Sequence, residues 1–142
     1  ALTAAIAEAG HAAGVVPHFS EDIDRWSSIT LGDFRTRTRV WRRFDRVTVR
    51  LLDPLDFAIG KLARGTADDL ADIVAVLIRR RQSWRTAARR WGKALKASPR
   101  SSAIPLFARQ VEGFLRDSGR RIWGRGFDPE TAIRTFLRAA RL

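Results

Sequence analysis

The sequence contains no cysteine, and only two of its 142 residues are histidines. Without cysteine the chain has no disulfide bonds, no thiolate metal sites and no cysteine nucleophile. His11 and His18 lie on either side of Gly14, and two histidines at this spacing disfavour both a zinc site and a Ser-His-Asp triad. Any polar chemistry of this chain therefore depends on its carboxylates, lysines and arginines.

Long hydrophobic runs are also missing. The longest one, residues 73–78, is far shorter than the roughly 18 to 20 residues that a helix needs to cross a bilayer. The opening stretch, residues 2–13, carries Glu8 and no lysine or arginine, so it lacks the pattern of a secretory signal. We therefore expect a cytoplasmic protein with no membrane partner.

Positive charge is abundant but unevenly distributed. Residues 1–78 carry 10 Lys and Arg against 11 Asp and Glu, whereas residues 79–142 carry 17 against 4, which together give the net charge of +12. The hydrophobic content of 45% is sufficient for a folded globule. The charge distribution predicts an acidic partner for the second part of the chain, which could be RNA, DNA or an acidic protein.

Two alternating segments predict a β-hairpin in the first part. Residues 35–44 and 47–52 alternate in the manner of strands, and Asp45-Arg46 provides the turn between them. Arg35, Arg37 and Arg39 would then share one face of the first strand. That face could line a nucleotide or RNA phosphate site, or it could face solvent.

The segment after the second strand predicts a helix with one apolar face. Asp53 can cap this helix, and Pro54 suits its first position because no hydrogen-bond donor is lost there. Lys61 and Arg64 would project together from another face. The apolar face is formed by Leu55, Ala58, Ile59 and Leu62.

A second helix follows after one turn. Gly65 suits the left-handed position after a helix end, and Thr66-Ala-Asp-Asp69 has the sequence of a capping box. We expect three acidic residues, Asp68, Asp69 and Asp72, to lie away from its core-facing side. That side is formed by Leu70, Ile73, Val74 and Leu77.

This region resembles the later motif of minimal nucleotidyltransferase-like proteins, including toxin-type families related to abortive-infection systems. The shared features are a strand, Asp53-Pro54, an apolar helix with Lys61, and then Asp-Leu-x-Asp-Ile beginning at Asp69. The resemblance implies that Lys61 contacts nucleotide phosphates and that Asp69 and Asp72 are supporting acids of the catalytic site. It also implies an NTP substrate. Arg64, beside Lys61 on the same predicted helix, is a further candidate contact for the nucleotide or for nucleic acid.

The same families carry an Asp-x-Asp pair that holds Mg²⁺ against the triphosphate. Ser20-Glu-Asp22-Ile-Asp24 resembles their Ser-x-Asp-x-Asp pattern, so Asp22 and Asp24 are the candidate metal ligands. In those families a Gly-Gly or Gly-Ser pair precedes the acids, but no such pair precedes Asp22 in this sequence. The alternative is that the metal-binding acids lie outside this sequence.

The basic second part is predicted to be helical. Ser83 can cap a helix that buries Trp84, Ala87, Ala88, Trp91 and Leu95, and Gly92 within it suggests close packing. This helix also carries a basic face that could follow a phosphate backbone, contact an acidic protein or face solvent. The basic face consists of Arg85, Arg89, Lys93 and Lys96.

Two further helices complete the prediction. One is capped by Ser102 and ends near Gly119, and the other begins at Asp128-Pro129. The loop predicted between them, residues 120–127, contains Arg125 as a further candidate nucleic-acid contact. The loop also contains Trp123. Its ring could stack on a base, but packing in the core is the favoured alternative.

We therefore predict an α+β domain, with a small antiparallel or mixed sheet over residues 34–52, packed by helices, and a C-terminal helical bundle. Residues 1–78 would form the nucleotidyltransferase-like part, and residues 79–142 the basic helical part. One functional hypothesis is transfer of a nucleotidyl group from an NTP to RNA or protein. The other is a non-catalytic protein that binds nucleic acid or acts as a toxin-antitoxin-type interaction partner.

Overall fold

The computed structural model describes residues 2–17, 28–30 and 32–142. These residues form an α+β fold with a two-stranded antiparallel sheet and a helical C-terminal part, which confirms the predicted class. No helix within the described ranges is long and apolar enough to span a membrane. The elements are α1 (Leu2–Ala12), α2 (Phe34–Arg37), β1 (Arg39–Phe44), β2 (Val47–Leu51), α3 (Pro54–Arg64), α4 (Ala67–Arg80), α5 (Trp84–Ala97), α6 (Ala103–Trp123) and α7 (Pro129–Ala140).

The hairpin forms where the sequence predicts it, but its first strand begins later. Phe44 pairs with Val47 across the turn, and the register shifts at a bulge between Val40 and Arg42. The chain before β1 forms the short helix α2. The prediction that Arg35, Arg37 and Arg39 line one face of a strand is therefore wrong. Arg37 instead contacts Asp33 one helical turn earlier and Asp56 on α3, two contacts that favour a helical turn here.

The core is formed mainly by the five helices α3, α4, α5, α6 and α7. The four apolar residues predicted to face inward from α3 are all buried, and so are Ile73, Val74 and Leu77 of α4. They belong to one continuous cluster with the large aromatic side chains of α5, α6 and α7. Residues from both sides of position 78 therefore share a single hydrophobic core. The buried aromatic residues of these three helices are Trp91, Phe107, Phe114 and Phe136.

The local chemistry at several helix ends matches the predictions. The Asp53 side chain accepts a hydrogen bond of 2.9 Å from the Leu55 N–H, and Gly65 has a φ of 65° after α3. Thr66 accepts a hydrogen bond of 3.2 Å from the Asp69 N–H at the start of α4. Asp128 accepts one of 3.2 Å from the N–H of Glu130 at the start of α7. The starts of α3, α4 and α7 and the end of α3 are therefore occupied by residue types suited to those positions.

Three predictions about helix ends are wrong. Ser83 and Ser102 precede α5 and α6, but neither side chain makes a capping hydrogen bond. Helix α6 also continues past Gly119 to Trp123, so only the segment from Gly124 onward is a loop. Gly119 is buried against the ring of Phe127, where a methyl group would clash. This glycine therefore permits close packing inside a helix and does not end it.

Candidate functional site

The charged groups that the sequence concentrates after β2 form an ion-pair cluster between α3 and α4. The Lys61 ammonium lies 3.0 Å from Asp69 Oδ1 and 2.7 Å from Asp72 Oδ2. The Arg64 guanidinium donates to both oxygens of Asp69, through Nη2 at 2.5 Å and through Nε at 3.1 Å. Gly65 turns the chain sharply enough to bring the start of α4 back against the end of α3.

Asp69 is the centre of this cluster and is only 2% exposed, although the sequence predicts it away from the core. Burial alone would raise the pKa of its carboxyl, but hydrogen bonds from Arg64, Lys61 and Thr66 hold that pKa well below its ordinary value. The hydrogen bond to Asp72 is the main cause of a raised pKa of Lys61. Asp69 and Lys61 are therefore both charged at neutral pH.

The structure brings together Lys61, Asp69 and Asp72, which the resemblance assigns to a catalytic site, and Arg64, the candidate contact for nucleotide or nucleic acid. Their charges balance, because two cations face two carboxylates at hydrogen-bond distance. A phosphate could contact Lys61 only by competing with carboxylates that already bind it. With these ion pairs formed, the cluster links α3 to α4.

The proposed metal pair, Asp22 and Asp24, lies outside the described residues. Elsewhere, in the part of the chain that the structure describes, no group of three or more His, Asp or Glu side chains is arranged to hold a metal ion. Lys61, Asp69 and Asp72 thus have no candidate Mg²⁺ site beside them within that part.

A second charged cluster was missed by the sequence analysis. Asp56 on α3 is fully buried and accepts hydrogen bonds from Arg37, 2.7 Å from Nε and 3.0 Å from Nη2. Arg90 on α5 approaches it to 3.5 Å and Asp53 to 3.3 Å. The available signal was that Asp56 lies three positions before Ile59, on the buried side of α3.

A cleft of about 350 Å³ opens beside this second cluster. Arg37, Asp56 and Arg90 line its charged side, and Lys93 of α5 lies at the same opening. Arg37 and Arg90 bind carboxylates. Lys93, in contrast, has no carboxylate within 4 Å among the described residues. The cleft is thus continuous with the basic face of α5.

The basic face of α5 has the arrangement that the sequence predicts. Its four side chains, Arg85, Arg89, Lys93 and Lys96, are exposed. No acidic group within the described ranges forms an ion pair with any of them, and Arg85 lies 4.3 Å from the centre of the Trp84 ring. They extend over eleven positions of a helix, or about 16 Å. Arg125, the remaining candidate, is exposed in the short loop between α6 and α7.

The tryptophans of the helical part are structural. Trp91 is buried and donates a hydrogen bond of 3.2 Å from Nε1 to the carbonyl of Leu55. Trp123 donates one of 2.8 Å to the carbonyl of Gln82, and its ring lies 4.9 Å from that of Phe127. Trp123 therefore packs against its neighbours, which is the alternative that the sequence analysis favoured over base stacking.

Comparisons with models of known protein families, with curated proteins and with solved structures gave no match to this chain. The resemblance to nucleotidyltransferases therefore rests on the motif residues alone.

Proposed function

We propose that this protein binds nucleic acid through the basic face of α5. The observation that supports this most directly is the contrast between two sets of cations. Lys61 and Arg64 are held by Asp69 and Asp72, whereas Arg85, Arg89, Lys93 and Lys96 have no acidic partner among the described residues. Unpaired cations repeated along one helix suit the repeating charge of a phosphate backbone.

The proposal is tested by neutralising this face. A variant with Gln at positions 85, 89, 93 and 96 should bind a fluorescein-labelled duplex at least tenfold more weakly at low salt. The slope of log K against log salt should also become shallower, by about 0.9 for each phosphate contact that is lost. Fluorescence anisotropy at several salt concentrations measures both quantities.

A matched control separates position from net charge. Four exposed arginines on α6 and α7, at positions 109, 120, 121 and 138, form no ion pair with a described residue. Replacing them with Gln removes the same total charge. This control should retain most of the affinity and of the salt slope. Equal losses in the two variants would contradict the assignment of binding to α5.

A second candidate function is nucleotidyl transfer. The supporting observation is that Lys61 contacts both Asp69 and Asp72, the acids that the resemblance groups with it. A hydroxyl of the acceptor would attack the α-phosphorus of an NTP, and pyrophosphate would leave. Lys61 would have to exchange a carboxylate for a phosphate oxygen when the nucleotide binds.

Incubation with labelled NTPs, Mg²⁺ and total RNA tests this candidate. Transfer that is lost in Lys61→Ala but kept in Arg116→Ala would support it, because Arg116 also forms ion pairs with two carboxylates, Glu112 and Glu130, but is not assigned to the nucleotide site. If the wild-type chain shows no transfer but binds nucleic acid in a salt-sensitive way, only the binding function is supported.

A further inference from the structure

The hairpin β1–β2 exposes large apolar side chains that neither functional hypothesis uses. Trp41 is 57% exposed and Phe44 49%, and Val40 and Val47 are exposed beside them. The two strands pack mainly against each other and not against the helices. A two-stranded hairpin is marginally stable by itself in water, so exposed rings on it are not explained by packing within the hairpin.

The same hairpin is rich in arginine. Residues 39–51 contain five arginines, at positions 39, 42, 43, 46 and 50, and one acidic residue, Asp45. Asp45 lies 3.7 Å from Arg46, and Arg50 donates hydrogen bonds to Thr38, so neither of these contacts neutralises the rest of the hairpin. The Arg42 guanidinium lies 5.3 Å from the centre of the Phe44 ring. The hairpin thus combines exposed aromatic faces with an excess of positive charge.

We propose that the hairpin is a stacking surface for single-stranded nucleic acid, on which Trp41 and Phe44 each take an unpaired base while the arginines contact phosphates. This rests on the proposed function, since it assigns a second contact surface to the same ligand. Aromatic rings bind bases of any sequence because every base has a flat π-face. Guanidinium groups add both charge and a plane on which a base can stack.

The spacing of the rings fits separate bases. Trp41 and Phe44 lie three positions apart on β1, a separation of about 10 Å along a strand, and the bulge between Val40 and Arg42 interrupts the regular alternation of faces at Trp41. This is too far for two neighbouring stacked bases, so the surface suits a strand whose bases are splayed out. A duplex keeps its bases stacked inside and cannot offer them to either ring.

Charge argues against a second copy of this chain as the occupant. Two hairpins placed face to face would bring ten arginines together, with two aspartates to compensate them. Like charges at this density oppose association, whereas a phosphate backbone complements them. The hairpin is therefore assigned to an anionic strand and not to self-association.

The test removes the rings and keeps the apolar character and the charge. In Trp41→Leu/Phe44→Leu, binding of a labelled 12-nucleotide single strand should weaken about 5- to 150-fold for each base that loses its ring. Binding of a duplex should change less than twofold. Trp41→Phe should retain most of the affinity, and Val40→Ala, a change to an exposed aliphatic residue of the same strand, should have no effect. Circular dichroism checks that each variant is folded.

RNA and DNA strands of the same sequence are measured in parallel. Weaker binding of either strand on loss of the rings supports the proposal, and the tighter of the two identifies the source. Equal weakening of single strands and duplex would overturn it. It would also be overturned if sedimentation showed a wild-type dimer that the leucine variant converts to a monomer.

The proposal for α5 and the proposal for the hairpin can be refuted separately. If the wild-type chain binds neither duplex nor single strand, the proposed function itself is wrong. If it binds both through α5 and removal of the rings changes nothing, only the role of the hairpin is wrong.

Discussion

Replacement of Gly92 by alanine should destabilise the protein, although alanine is the better helix former. Gly92 lies in the middle of α5, directly against α7. A methyl group placed there would lie 2.5 Å from the carbonyl oxygen of Phe136, 2.7 Å from Cβ of Ala139 and 2.9 Å from the backbone nitrogen of Ala140. Two of these atoms belong to the backbone, so no change of side-chain rotamer can relieve the contact.

The size of the effect follows from two opposing terms. Alanine gains about 1 kcal/mol over glycine inside a helix. Extra volume in a packed core usually costs about 1–3 kcal/mol, and the upper part of this range applies here because whole helices must separate. We therefore expect the free energy of unfolding to fall by about 1–2 kcal/mol. For a chain of 142 residues that corresponds to a decrease in Tm of about 3–7 °C.

Two other helical glycines supply the controls. A methyl group added at Gly60 of α3 or at Gly113 of α6 would meet no atom within 4 Å. Gly60→Ala and Gly113→Ala should each stabilise the protein by up to about 1 kcal/mol, through helix propensity alone. Urea unfolding followed by circular dichroism measures all three variants. A Gly92→Ala variant as stable as the two controls would contradict the predicted clash with α7.

Three further predictions concern charged groups. Asp69→Asn should lower the free energy of unfolding at pH 7 by about 1–3 kcal/mol. Because the pKa of Asp69 is lower in the folded chain, this difference should be complete above the ordinary value of 3.8 and should shrink as the pH falls below it, which urea titrations between pH 7 and 3 can measure. Asp56→Ala should cost about 1–3 kcal/mol in the same assay, because it removes a fully buried partner of Arg37 and Arg90, which are partly exposed and keep their contacts to Asp33 and Asp53. Asp45→Asn is its control and should change stability by less than about 0.5 kcal/mol, because Asp45 is exposed in the hairpin turn and Asn tolerates its positive φ of 45° as Asp does.

Features that depend on neighbouring residues could be predicted from the sequence. The caps at Asp53 and Thr66 and the left-handed turn at Gly65 follow from the chemistry of single side chains, and the structure contains all three. The inward faces of α3 and α4 follow from helical periodicity. Because these signals are local, the proximity of Lys61 and Arg64 on α3 was also predictable.

Features that depend on distant residues could not be predicted. The alternation of residues 35–44 is typical of a strand, but Arg37 contacts Asp56, 19 positions later, and the chain around it is helical. Gly119 has the position of a helix end in the sequence, yet the ring of Phe127 packs against it and the helix continues. Asp69 has the sequence position of a capping acid, and only the folded chain shows that two cations bury it.

The open hairpin also affects how the protein behaves at high salt. Its two strands pair only with each other within the described chain, so each leaves a free edge that can pair with a strand of another molecule. Arginine side chains along such edges discourage aggregation by mutual repulsion, and salt weakens that repulsion because the Debye length shrinks to about 3 Å at 1 M. The concentrated salt that strips nucleic acid from a basic protein would therefore also remove the protection of these edges.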